Sequence, residues 1–431
     1  MSRIYLDYSS TTPVDPAVLR AMLPYFSDNF GNPSSIHSFG QEAQKAVDVA
    51  RQKTADFLGS LSQEVIFTGS ATEANNLAVL GIVGQIRRQH PKQPLHIIVS
   101  AIEHESVLAP ARKAERDFGA SVTYSPVNRG GFINTNTLRD TLTENTVLVS
   151  VMYANNEIGT IQPITEISKV IGNFRNPKHE ARNSKQIQNS KTSNSKRLEF
   201  GNSDLKFVSD FGFRISDLKA GYPLFHTDAA QAALYLPMKV ADLGVDALTL
   251  SGHKMYGPKG VGALYLKKGM LLDPLIVGAA QEYGKRAGTE NVSCIVGLGE
   301  ATALIPKWRA KNEELKELRD YFVEKIGERI PRAAFNGAPE NRLSNNANIR
   351  FDGVSSADLT LLLDQEEIAV SAGSACESKA QTDSHVLKAL GLSAAQVRSS
   401  LRFSLGQATT RDDLDRVIEV LVKLVKKLRN S

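Results

Sequence analysis

Short apolar runs and amphipathic stretches alternate along the first part of the chain. Glu64-Val65-Ile66-Phe67-Thr68 reads as a buried strand, and Gly69-Ser70 then leads into a helix from about Thr72. Leu95 to Ser100, Ser121 to Val127 and Thr146 to Tyr153 read as further strands with helical stretches between them. The same texture returns at Leu224 to Thr227, Asp246 to Ser251 and Gly262 to Leu266. Apolar runs of this length suit strands covered on both faces. The alternation predicts an α/β layer fold with a largely parallel sheet, in which ligands sit beyond the C-terminal ends of the strands.

From about Gly299 the pattern changes to long amphipathic helices, such as Leu315 to Ile330 and Leu414 to Leu428. Short strands are expected near Asn346 to Phe351 and Leu401 to Ser404. This part predicts a smaller α/β domain. No internal repeat interrupts either part.

The segment from about Asn173 to Lys219 fits neither pattern. It holds six Asn and seven Ser, with Asn-Ser-Lys repeats at Asn183-Ser184-Lys185 and Asn189-Ser190-Lys191. Such a composition cannot bury enough apolar surface to offset the entropy of ordering, so it predicts an exposed, disordered insertion. The segment also explains the charge. The chain has 51 Lys/Arg against 46 Asp/Glu, a net +5, and the segment has ten against five, the same excess. The remainder is balanced, so the basic pI marks no nucleic-acid-binding face.

Cys294 and Cys376 are the only cysteines, too few for a disulfide framework or a four-thiolate metal site, and no metal is expected. No run of eighteen apolar residues suggests a membrane span. Met1 to Asp7 enters strand-like sequence without an apolar signal core. Together these features point to the cytoplasm, where a free thiol persists.

Several candidate chemical groups stand just beyond predicted strand ends. Lys254, in Ser251-Gly252-His253-Lys254, suits a Schiff base with an aldehyde cofactor, although a surface loop lysine reads the same way alone. Asp228, in Thr227-Asp228-Ala229-Ala230-Gln231, suits pairing with a protonated pyridine nitrogen, or a plain helix cap. Gly69-Ser70-Ala71-Thr72-Glu73 offers N–H groups and hydroxyls at a helix start, fitting a phosphate or ordinary capping. His104 suits ring stacking and proton transfer, or again a cap. Asn155, before Asn156-Glu157-Ile158-Gly159, suits an amide contact to cofactor or substrate, or a simple turn. Arg402 suits a bidentate clamp on a carboxylate, or a structural ion pair. Cys376 lies in the small-residue run Ser371-Ala372-Gly373-Ser374-Ala375-Cys376-Glu377-Ser378, the setting of an exposed and reactive thiol. Cys294, beside Ile295 and Val296, reads as a buried structural thiol.

Order and spacing make the set more specific than its parts. It resembles the class V, fold-type I pyridoxal-phosphate enzymes, and within them the cysteine desulfurases of the NifS/IscS type. The likeness starts at Tyr5-Leu6-Asp7 and Thr11-Thr12-Pro13-Val14-Asp15-Pro16, and passes through Phe30-Gly31-Asn32-Pro33-Ser34-Ser35. It reaches Arg402-Phe403-Ser404-Leu405-Gly406 and omits only the insertion. Gly373-Ser374-Ala375-Cys376 is its most specific part, and resembles the group with a long cysteine loop.

The resemblance implies a large domain over about 15–300 with a mainly parallel seven-stranded sheet. A smaller α/β domain of residues 1–14 and 301–431 would carry the cysteine loop. It implies pyridoxal 5'-phosphate on Lys254, with Asp228 at its pyridine nitrogen and His104 stacked on its ring. Gln231 and Asn155 would contact the phenolic oxygen and the substrate region. Ala71, Thr72, Ser251 and His253 would cradle the phosphate, with Thr289 reaching over from the partner in a homodimer. Arg402 would hold the carboxylate of L-cysteine, and Cys376 would receive its sulfur as a persulfide. The sulfur would pass to an iron–sulfur scaffold or a tRNA-thiolation enzyme, with no direct nucleic-acid or membrane contact. A selenocysteine lyase, an aminotransferase and a non-catalytic scaffold are the rival readings; the thiol on its loop argues against an aminotransferase.

Overall fold

The structure is a computed structural model that describes residues 3–176, 221–373 and 383–430. The basic insertion expected from about residue 173 therefore lies, from residue 177 on, outside the described residues.

Twelve strands are used below: β1 (Ile4–Tyr5), β2 (Val65–Thr68), β3 (Leu95–Ser100), β4 (Ala120–Ser125), β5 (Thr146–Ser150) and β6 (Leu224–Asp228). They continue with β7 (Ala247–Ser251), β8 (Gly262–Leu266), β9 (Ala333–Phe335), β10 (Asn346–Phe351), β11 (Ile368–Ala369) and β12 (Ser400–Ser404). The seven strands expected in the first part all form, and they join in one sheet in the order β2-β8-β7-β6-β5-β3-β4. β8 runs antiparallel to both of its neighbours, and the other pairings are parallel.

The strands lack polar alternation because both faces of the sheet are covered. Val65, Phe67, Ala263 and Tyr265 enter one apolar cluster, whereas Ile66, Leu264 and Leu266 enter the cluster on the other side. The first cluster is closed by the helices Ser38–Leu58, Ile164–Arg175 and Val292–Arg309, the second by Ile82–Gln89 and Glu105–Phe118. Two of these helices touch backbone to backbone at Gly299, where a Cβ would lie 2.6 Å from Ala50 Cα. β5 stops short of the expected Tyr153, yet Val151 and Tyr153 still donate to the carbonyls of His226 and Asp228. The chain thus stays against β6 as it leaves the sheet.

A second sheet, β12-β10-β9, is antiparallel, and β1 pairs in parallel with β11 beside it. Ile4, Leu6, Ile349, Phe351, Leu401 and Phe403 share one core with the helices Asn312–Arg329, Ser356–Gln365 and Arg411–Asn430. The first residues of the chain therefore pack among the last. From β1 the chain crosses to the large sheet, and Asp7 still bridges to Ser404 on β12. Among the described residues, no helix is long and apolar enough to cross a membrane.

Phe403 is fully buried, with ring centroids 5.1 Å from Phe322 and 6.4 Å from Phe351. Truncation removes this packing and leaves a void beside Arg402. Phe403→Ala should cost about 3–5 kcal/mol of stability, read from urea unfolding.

Candidate active site

The neighbouring parallel strands β7, β6, β5 and β3 end side by side, and the chain beyond them, with that after the edge strand β2, lines one cleft. Ser70, Ala71 and Thr72 follow β2, His104 and Ser106 follow β3, and Met152, Ala154 and Asn156 follow β5. Asp228 ends β6 and precedes Ala230 and Gln231, whereas Ser251, His253 and Lys254 come at and after β7. Ser9, Ser10 and Arg402 close the wall from the side of the second sheet.

One hydrogen-bonded chain orders the acid–base groups. Asn75 Nδ2 donates to Asp228 Oδ2 at 2.7 Å and to Ser106 Oγ at 2.8 Å. Asp228 Oδ1 accepts the Ala230 N–H at 2.9 Å. His104 Nδ1 lies 2.8 Å from Ser106 Oγ and accepts the Ser106 N–H at 3.1 Å. An acceptor role for Nδ1 puts the proton of the neutral ring on Nε2. Burial pushes the His104 ring below its ordinary pKa against the pull of Asp228, and Lys254 adds to the shift. Burial and then the ammonium groups of Lys254 and Lys259 lower His253 to about 4. Both rings are therefore neutral bases at pH 7.

Lys254 Nζ donates to the carbonyls of Ser9 at 2.5 Å and Ser10 at 2.7 Å. Gln231 Nε2 donates to the same Ser9 carbonyl at 2.8 Å. Arg402 is 1% exposed; its Nη1 donates to Asn156 O at 3.0 Å and its Nη2 to Asp7 Oδ1 at 2.8 Å. The ion pair expected as one reading of Arg402 is thus present, and the guanidinium also lines the cleft.

Most of the expected residues meet here, but Asn155 does not line the cleft. Asn155 is buried with its amide committed to backbone: Nδ2 donates to Ile102 O, and Oδ1 accepts from the Glu157 and Ile158 N–H groups. Its neighbour Asn156 lines the cleft, with its backbone carbonyl on Arg402 Nη1. The tight turn over residues 155–160 consumes the Asn155 amide, and two adjacent asparagines carry no sign of that. Thr289 lines a neighbouring cleft with Gly69, Glu282 and Arg286 and does not reach the cleft of its own chain. Cys376 lies outside the described residues. Cys294, expected to be buried, is partly exposed in the first turn of Val292–Arg309, where its N–H binds Asn291 Oδ1.

Sequence reasoning also missed Glu103. It is fully buried, and its Oε1 accepts the Met152 N–H at 2.6 Å. Burial pushes its carboxyl up to about 8 against that N–H, and the charge of Asp228 adds to the rise. A glutamate beside a histidine after a strand gives no signal of such burial. Asn75 and Ser106 were missed for a similar reason, since the bond from Asn75 that joins Ser106 to Asp228 spans stretches distant in sequence.

The sequence model described as aminotransferase class-V matches residues 4–176 and 210–417. The chain belongs to the class-V aminotransferase family. The gap in the match falls inside the basic insertion. The chain is 41% identical over 427 residues to the protein named cysteine desulfurase IscS of Dictyoglomus turgidum, covering 99% of this chain and 95% of that one. To the protein of the same name from Methanosarcina thermophila it is 41% identical over 428 residues, covering 99% and 93%. A solved structure described as a NifS-like protein matches with a TM-score of 0.80 at 29% identity, covering 99% of this chain and 100% of that one. One described as SspA in complex with cysteine matches with a TM-score of 0.72 at 32% identity, covering 95% and 100%. The fold is that of the fold-type I pyridoxal-phosphate enzymes, as the resemblance implied.

This class-V family uses pyridoxal phosphate, and the cleft has the donors such a group needs. An amine, a buried carboxylate and a neutral imidazole stand round one space. The helix Ala71–Asn76 opens on it with first-turn N–H groups that no earlier helical carbonyl can accept. That turn is pressed against β8 at Gly262, where a Cβ would lie 2.8 Å from Ala71 N. Any side chain there would displace the cradle.

Glu103 gives a pH test of this electrostatic reading. Its raised pKa means the folded protein keeps a proton that the unfolded chain loses above about 4.5, so stability falls as pH rises from there to about 8. Glu103→Gln retains an acceptor for Met152 and cannot ionise. Its unfolding free energy should gain on the wild type between pH 5 and 8 by on the order of 3 kcal/mol, read from urea titrations at each pH.

Proposed function

We propose that the chain is a cysteine desulfurase that converts L-cysteine to L-alanine and passes the sulfur to its own Cys376. The observation that carries this reading is the meeting of Lys254, Asp228, His104 and Arg402 round one cleft in a chain 41% identical to named desulfurases.

The cofactor would be held by Lys254 through its aldehyde, by Asp228 at the ring nitrogen and by the stacked His104. The N–H groups of Ala71 and Thr72, with Ser251 and His253, would take its phosphate. Gln231 would approach its phenolic oxygen, and Asn156, in the turn after β5, would line the same space. Pyridoxal phosphate, when bound, supplies an electron sink for the bonds at the substrate Cα.

The residues of the chain do the remaining work. Arg402 binds the α-carboxylate and orients the Cα–H bond. The amine of Lys254, once exchanged for that of the substrate, is the base that removes the Cα proton. His104, neutral and protonated on Nε2, moves protons at the substrate side. The Cys376 thiolate attacks the substrate sulfur: an S–S bond forms, the substrate C–S bond breaks with its electron pair left on carbon, and protons return to Cβ and to Cα. L-Cysteine and the enzyme thiol thus become alanine and an enzyme persulfide, with no external oxidant.

Residues 15–300 would form the cofactor domain, and 1–14 with 301–431 the domain bearing Cys376. A homodimer would bring Thr289 of the neighbouring copy toward the phosphate. An iron–sulfur scaffold or a tRNA-thiolation enzyme would accept the sulfur in the cytoplasm.

The test measures alanine and sulfide from L-cysteine with reductant, in cofactor-loaded wild type and Cys376→Ala. Wild type should form both in equal amounts, and the variant should lose both by about 100-fold or more. Bound cofactor without alanine from the wild type would overturn the reading.

A further inference from the structure

The Arg402 guanidinium already has an anion. Its Nη2 donates to Asp7 Oδ1 at 2.8 Å and to Ser10 Oγ at 2.7 Å. Ser10 Oγ in turn donates to Asp7 Oδ1 at 2.8 Å, closing a triangle. Nη1 gives one N–H to Asn156 O at 3.0 Å. Nε is buried and has no hydrogen-bond partner among the described residues.

A guanidinium presents a carboxylate with two parallel N–H pairs, Nε with Nη2 and Nη1 with Nη2. Nη2 belongs to both. Its two hydrogens are taken by Asp7 and Ser10, so a bidentate grip on any second carboxylate requires one of them to yield.

We propose that Asp7 is a resident carboxylate which keeps Arg402 paired and oriented, and which the substrate carboxylate must partly displace from Nη2. Asp7 is thereby a positioning residue that sets the affinity for the α-carboxylate. This rests on the desulfurase reading with Arg402 as the carboxylate clamp. The physical need is clear from burial. Arg402 is 1% exposed, and a buried cation without a partner is strongly destabilising. Asp7 is the more accessible member, with 18% of its side chain exposed against 1% for Arg402. A ligand carboxylate gripping the guanidinium competes with Asp7 for Nη2 and is repelled by its charge, so both effects weaken binding.

Ser10 gives the exchange a route. Its hydroxyl can turn its proton from Asp7 to the incoming carboxylate, while the carbonyls of Ser9 and Ser10 remain within reach of Lys254. The same short segment therefore touches both the clamp and the amine.

Asp7→Asn keeps an oxygen that accepts from Nη2 and removes the charge. The measurement is the dissociation constant of the cofactor-loaded enzyme for L-alanine, followed by the cofactor absorption band. Ethylamine, which is L-alanine without its carboxylate, is titrated in parallel. L-Alanine should bind about fivefold tighter to the variant, the scale of one charge-assisted hydrogen bond relieved of competition, with ethylamine unchanged. KM for L-cysteine should fall in step, with the effect appearing in KM ahead of kcat. Unchanged or weaker L-alanine binding, or an equal change for both ligands, overturns the role of Asp7. Arg402→Lys separates the two levels of the argument. If it leaves the preference for L-alanine over ethylamine intact, the clamp itself fails. If it abolishes that preference while Asp7→Asn matches wild type, the role of Asp7 alone fails.

Discussion

A guanidinium taken out of water must find its partners in the protein, and at Arg402 they come from two separate stretches of chain. The N-terminal segment supplies Asp7 and Ser10, and the turn after β5 supplies the Asn156 carbonyl. The backbone of Arg402 pairs with Ser371, just beyond β11. One buried charge thus holds the second sheet, the first residues of the chain and the rim of the large sheet in fixed relation. Lys254 repeats the device from the other side, through the carbonyls of Ser9 and Ser10. The cleft lies between these two cations.

The large sheet adds a constraint of a different kind. Parallel strands deliver their C-terminal ends to a common edge, so residues far apart in sequence emerge within a few ångströms. Burial then sorts their charges. The His104 and His253 rings are held neutral, and Glu103 keeps its proton to about 8. Asp228 is buried too, and it accepts from the Asn75 amide and the Ala230 N–H.

The strands of the large sheet were legible because a strand covered on both faces must be apolar throughout, and such runs stand out between turns. The groups following them were legible as types. Lys254, Asp228 and His104 stand at or beyond strand ends, Arg402 lies within β12, and the cleft is lined by all four. The commitment of the Asn155 amide was not legible, since it depends on the Ile102 carbonyl and on two N–H groups of the turn. Glu103 reads as a solvated acid until the helix and strands that bury it are in place. Asp7 was visible as part of a motif, but its pairing with Arg402 spans almost the full length of the chain.

Local chemistry thus decided the α/β class, the strand positions, the amine, carboxylate and imidazole candidates and the low-complexity insertion. Each follows from the periodicity or composition of a few neighbouring residues. The tertiary structure decided which side chains share a space, which titrating groups lose water, and which donors on Arg402 are already taken. Those properties depend on distances between stretches of chain that no local pattern encodes. A guanidinium reads the same in sequence whether solvent or Asp7 surrounds it; only the fold makes Asp7 its partner.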